Sequence, residues 1–102
     1  MAADAAEPIL VVDQADLTVR IARGVLAQLG VAQVDEASTS GAALHKLKAR
    51  RYRAILADGG AQAELVRAAA CDPALRLAPI IPLQARGVEG LKARLSRALE
   101  AL

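Results

Sequence analysis

Ala54-Ile55-Leu56-Ala57-Asp58, followed at once by Gly59-Gly60, is the stretch on which the reading of this chain turns. Four small or apolar residues lead into one carboxylate, and two glycines come after it. A run that is apolar on both faces fits a strand buried on both sides, as in a parallel sheet covered by helices. An acid just past the carboxyl end of such a strand stands where open α/β sheets place their ligand sites. Ile9-Leu10-Val11-Val12-Asp13 has the same form. Set side by side, the two strands bring Asp13 and Asp58 to one edge of the sheet.

Outward from these strands the pattern alternates. Pro8 precedes the first strand, where its missing N–H does little harm. Asp16 reads as an N-cap, and Leu17, Ile21, Val25, Leu26 and Leu29 then recur at helical spacing until Gly30 stops the helix. A short strand lies within Val31 to Ala37, with Val34 as its best-buried residue and Asp35 and Glu36 marking an outer position. Ser38-Thr39-Ser40-Gly41 caps a second helix that turns Leu44 and Leu47 inward. A third helix after Gly60 carries Leu65, Val66 and Ala69 and ends at Asp72-Pro73. Ile80-Ile81-Pro82-Leu83 forms the fourth strand. Pro82 cannot donate to a ladder on one side, so this strand belongs at the sheet edge. After Gln84-Ala85-Arg86-Gly87, the last helix shows Val88, Leu91, Leu95, Ala98, Leu99 and Leu102 along one stripe. Strands alternating with helices predict parallel pairing through right-handed crossovers.

The bulk numbers narrow the function classes. At 102 residues the chain holds one core; residues 1–7 read as a disordered tail and residues 8–102 as a single domain. Tyr52 is the only aromatic residue, so the core must be aliphatic. With 13 basic and 11 acidic residues and no long basic block, nothing points to DNA. The single cysteine, Cys71, leaves no intrachain disulfide and no cysteine-based zinc site; it reads as a small core or boundary residue. No stretch is apolar enough to span a membrane, and the start lacks the form of a signal peptide, so a cytoplasmic location is expected.

Taken in order, these pieces resemble the receiver domain of two-component response regulators, of the flavodoxin-like chemotaxis type. Ile9 to Asp13 matches the first strand, Leu29-Gly30 the end of the first helix and Val34-Asp35-Glu36-Ala37 the second strand. Ser40-Gly41-Ala42-Ala43-Leu44 looks like the start of the second helix, and Tyr52 to Asp58 like the run into the phosphoacceptor. Asp72-Pro73-Ala74-Leu75 resembles the end of the third helix, and Pro79-Ile80-Ile81 the fourth strand. The resemblance implies a reduced flavodoxin-like fold: a parallel sheet of four strands in order 2-1-3-4, flanked by helices. The family's fourth helix and fifth strand have no counterpart here.

The resemblance implies Asp58 as phosphoacceptor and Mg²⁺ held by Asp13, Asp58 and a backbone carbonyl near Gly60. The departures lie in that same site. Gln14 stands where a second acid is expected, Gln84 replaces a hydroxyl, and no lysine matches the family's phosphoryl partner; Lys92 is not a positional match. A carboxylate works as a phosphoryl acceptor only when cations neutralise the developing charge. Phosphorylation is therefore expected to be weak or absent and Mg²⁺ binding weak at most, and the chain is read as a non-enzyme. The leading expectation is a stand-alone receiver-like signalling protein of a bacterial two-component or phosphorelay system. It docks a histidine kinase, a phosphotransfer protein or another regulator through Thr18, Arg20, Ile21 and Arg23. The alternatives are a phosphate sink or shuttle using Asp58 with Mg²⁺, and a nucleotide-binding adaptor using Lys48 to Arg53. His45, lying beside Lys46 and Lys48 without a ligand partner at suitable spacing, reads as part of a solvated face. The open fourth strand predicts a homodimer or a partner-bound state built on that side.

Overall fold

The computed structural model describes residues 8–72, 75, 78–83 and 87–101. The tail at 1–7, Pro73, Ala74, Gln84 to Arg86 and the side chains of Val88 and Leu102, for which the sequence raises expectations, lie outside the described residues. Among the described residues eight elements alternate: β1 (Ile9–Val12), α1 (Asp16–Gln28), β2 (Val34–Ala37), α2 (Ser40–Ala49), β3 (Ala54–Ala57), α3 (Gly59–Cys71), β4 (Ile80–Pro82) and α4 (Gly87–Ala101). The strands form one parallel sheet in the order β2-β1-β3-β4, as the alternation predicts.

The register decides where the site can be. Ile9 lies opposite both Val34 and Ala54, and Val12 opposite both Ala37 and Ala57. The carboxyl ends of β1 and β3 are therefore level, and the next residues, Asp13 and Asp58, emerge side by side. All residues of β1 and β3 are buried, because each strand has a helical layer on both faces. Ile9, Val11, Ala54 and Leu56 pack toward α1 and α4 with Val25, Leu26, Leu91 and Leu95. Leu10, Val12, Ile55 and Ala57 pack on the other face with Ala43, Leu47 and Leu65. Alanine at 54 and 57 keeps the helices close to a sheet that has no large rings beneath them.

α1 ends in a Schellman motif. Val31 N–H donates to Leu26 O at 2.9 Å and Gly30 N–H to Ala27 O at 3.1 Å, while Gly30 takes φ of 88°, which glycine reaches without strain.

Several local expectations are corrected. The N-cap of α1 is Ala15, not Asp16, because Asp13 has already turned the chain by accepting the Ala15 N–H at 2.7 Å. Leu17 is 68% exposed and Val66 is 50% exposed; Val19 and Ala22 take the inward positions of α1, and Leu65 that of α3. In β2 the buried residue is Ala37, whereas Val34 is half-buried at the outer strand. The third helix begins at Gly59 and not after Gly60. Gly59 and Gly60 are the first two residues of α3, whose N-cap is Asp58. Cys71 is exposed at the last turn of α3.

Candidate functional site

At the carboxyl edge of the sheet, β1, β2 and β3 each hand over to a helix, and the three corners enclose a cavity of about 430 Å³. Asp13 and Gln14 line it from the first corner, Ser38, Thr39 and Ser40 from the second, and Asp58 and Gly60 from the third, joined by Glu64 of α3. The structure thus brings Asp13, Asp58 and Gly60 to one cleft, for the topological reason read from the sequence. Ser40 and Glu64 join them without a sequence signal that marks either for this place. Glu64 lies one turn into a helix whose alanines occur on both faces, so periodicity alone does not orient it.

Each corner uses a side-chain oxygen: Asp13 in a tight turn ahead of α1, Thr39 and Asp58 as the N-caps of α2 and α3. Asp13 accepts the Ala15 N–H at 2.7 Å, and its own N–H donates to Ala37 O at 3.1 Å. Thr39 Oγ1 accepts the Ala42 N–H at 3.1 Å. Asp58 Oδ1 accepts the Ala61 N–H at 3.5 Å, while its carbonyl accepts from Gln62 at 2.8 Å. Across the cleft, Ser40 Oγ donates to Glu64 Oε1 at 2.8 Å and ties α2 to α3.

A receiver fold implies Mg²⁺ at this edge, and the donor set can be tested for it. Mg²⁺ requires near-octahedral oxygens at about 2.0–2.1 Å. Here an oxygen of each strand-end carboxylate faces a helix N-terminal N–H, Glu64 is held by Ser40, and Gln14 offers only an amide. Among the described residues no group of three or more acidic, histidine or cysteine side chains converges as metal ligands would. Asp13 and Asp58 use only Oδ1 in these bonds, but with Gln14 neutral the two carboxylates form a charge-poor set for the ion, and no chemistry is routed through it.

Of the docking residues on α1, Arg20 is exposed, Thr18 and Ile21 are half-buried, and Ile21 packs against the core. Arg23 is engaged in an ion pair with Glu36 of β2. Leu17, on the turn next to the cleft, is inward by helical spacing but in the structure is the most exposed large apolar residue described.

The basic stretch Lys48 to Arg53 is divided among several partners. Lys48 lies 3.9 Å from Asp72; Arg50 reaches Asp35 at 3.3 Å and Gln33 at 3.1 Å. Tyr52 is buried and donates its hydroxyl to Asp35 at 2.5 Å. Burial, with the hydrogen bond and charge of Asp35 adding to it, pushes the Tyr52 phenol up from 10.0 to about 12, and Arg50 pulls the other way. His45 is exposed on α2. No helix among the described residues is long and apolar enough to cross a membrane.

No protein-family model matches the chain, and no curated protein matches it. Solved structures do. One is the receiver domain of the histidine kinase CKI1 from Arabidopsis thaliana, matched with a TM-score of 0.59 at 19% identity. That match covers 89% of this chain and 76% of that one. With the strand order and the level ends of β1 and β3, it shows that this chain has a receiver-like fold.

Proposed function

We propose that the chain is a signalling protein of the receiver type that acts by docking a protein partner and not through a phosphorylation switch. The observation that carries this reading is Leu17, 68% exposed on the first turn of α1 beside the Asp13 corner. Burying such a side chain on association removes apolar surface from water, and Arg20 nearby adds charge selection. The partner is a histidine kinase, a phosphotransfer protein or another regulator, and the chain itself carries out no catalysis. The charge-poor cleft supports the same reading, because Gln14 stands where a second acid is expected and no lysine matches the phosphoryl partner, leaving little to neutralise charge developing on Asp58.

The test is calorimetric titration against a purified histidine-kinase phosphotransfer domain from the same organism. Leu17→Asp and Arg20→Glu are each expected to weaken binding by about tenfold or more. Undiminished binding by both variants would sink the proposed surface. Intact mass after incubation with acetyl phosphate and Mg²⁺ is expected to show no adduct. An adduct present on wild type and missing from Asp58→Asn would replace docking alone with the sink reading.

A homodimer belongs to the same proposal. It would use α4, along which an open groove of about 550 Å³ runs past Gly90, Ala93, Arg94 and Arg97. Sedimentation across a concentration series tests this, with a concentration-independent monomer as the contrary result.

A further inference from the structure

We infer, resting on the docking reading above, that Gly24 is the point where a helix of the partner crosses close to the backbone of α1. Glycine in the middle of a helix is destabilising relative to alanine, because it loses more conformational freedom on folding. Every other glycine in a described helix stands within its first turn: Gly41 in α2, Gly59 and Gly60 in α3, Gly87 and Gly90 in α4. Gly24 alone lies deep in one, between the buried Ala22 and Val25 of α1. The fold supplies no reason for it. Its φ is not positive, and a methyl group built on it would meet no atom of the described residues within 4 Å. Alanine would fit the chain as folded.

The surroundings of Gly24 say what comes near. Leu17, Arg20, Gly24 and Gln28 share one face of α1 by helical spacing, and all four are exposed. Arg20 makes no ion pair among the described residues, whereas Arg23 is tied to Glu36 of β2. The face thus offers an apolar anchor, a cation and then a place without a side chain. Packed helices are held about 8–10 Å apart by the side chains between them, so a missing one lets a second axis come nearer. An extended segment would gain nothing there, because the backbone of α1 already spends its N–H and C=O groups within the helix. The occupant is therefore a helix with an apolar stripe over Leu17, a carboxylate facing Arg20 and a small residue against Gly24.

Thermal unfolding of Gly24→Ala and Gly24→Leu, with calorimetric titration against a purified histidine-kinase phosphotransfer domain from the same organism, tests the inference. Leu17→Asp is measured alongside. Gly24→Ala is expected to raise the midpoint by about 3–6 °C and yet weaken binding by about threefold to tenfold. Gly24→Leu is expected to melt no lower than wild type and to weaken binding by about thirtyfold or more. Stability that rises while affinity falls is the signature of a glycine that serves a partner. A lowered midpoint for Gly24→Ala would assign the glycine to the fold and overturn the inference. Unchanged binding by both glycine variants, with Leu17→Asp binding weakly, would overturn the crossing point and leave the docking surface standing. Unchanged binding by all three, or no binding by wild type, would overturn the surface and the crossing point together.

Discussion

The two edges of the sheet are finished by opposite means. At the β2 edge, Asp35 takes the Tyr52 hydroxyl and the Arg50 guanidinium, and Glu36 takes Arg23. The β4 edge, Ile80-Ile81-Pro82, carries no charge at all. Ile55 N–H donates to Pro79 O, and Leu83 N–H donates to Ala57 O. Those bonds turn the backbone of Pro79, Ile81 and Leu83 toward β3, and alternation turns that of Ile80 and Pro82 away from it. Pro82 has no N–H, so the outward row lacks a donor where an incoming strand would need one. Charge guards one edge and a missing donor guards the other. The β2 side therefore depends on polar pairing, and the β4 side on one proline and the apolar cover of α4.

That contrast can be broken most visibly at Pro82. Pro82→Thr restores an outward N–H on an uncharged edge, and a larger species than wild type is expected in sedimentation velocity at equal concentration. No change in mass would mean that something besides the proline closes this edge. Next in size is Leu95→Ala. Leu95 is fully buried between α4 and the sheet, with Ile81 and Leu83 in the same core. A loss of about 3 kcal/mol is expected in urea unfolding. A loss below about 1 kcal/mol would show that α4 does not carry that side.

Tyr52→Phe addresses the opposite edge. Removing the hydroxyl leaves Asp35 without one of its partners and is expected to lower stability by about 1 kcal/mol near neutral pH. The alkaline limb sharpens the test. The stabilisation from the protonated phenol is complete below pH 10 and is lost as pH rises toward about 12, because the unfolded chain gives up the proton first. Wild type should lose about 2 kcal/mol more than Tyr52→Phe across that window. Equal slopes would remove Tyr52 from the account. The smallest effect is expected from Arg23→Ala, whose pair with Glu36 is exposed on both sides. Its removal should change stability by no more than about 0.5 kcal/mol, with the difference fading in salt.

Much of the fold is legible in the sequence. Two runs apolar on both faces, Ile9 to Val12 and Ala54 to Ala57, mark the central strands, and Pro82 marks an edge. The four-strand order comes from the alternation and the resemblance together. What escapes is rotation about the helix axes. In α3, alanine stands at 61, 63, 68, 69 and 70, so the apolar signal is nearly uniform around the helix and Val66 cannot be told from an inward residue. Leu17 misleads for a different reason: Asp13 turns the chain early, making Ala15 the cap and giving the inward place to Val19. The cleft is legible as far as Asp13 and Asp58, because a strand end fixes where the next residue emerges. Glu64 is not, because its direction depends on Gly59 and Gly60 already being helical.

Tyr52 is also the lone chromophore of the chain, which has no tryptophan or phenylalanine. Its ring is buried against the β2 side and nowhere near α4. Tyrosine absorbance and fluorescence therefore track the loss of the β2 side, while far-ultraviolet circular dichroism sums over all four helices. Monitoring one melt with both signals asks whether the two halves of the sheet come apart together. Superimposed curves would make the sheet a single cooperative unit. A dichroism change that precedes the tyrosine signal would mean that the helix behind β4 peels away from a surviving three-stranded remnant.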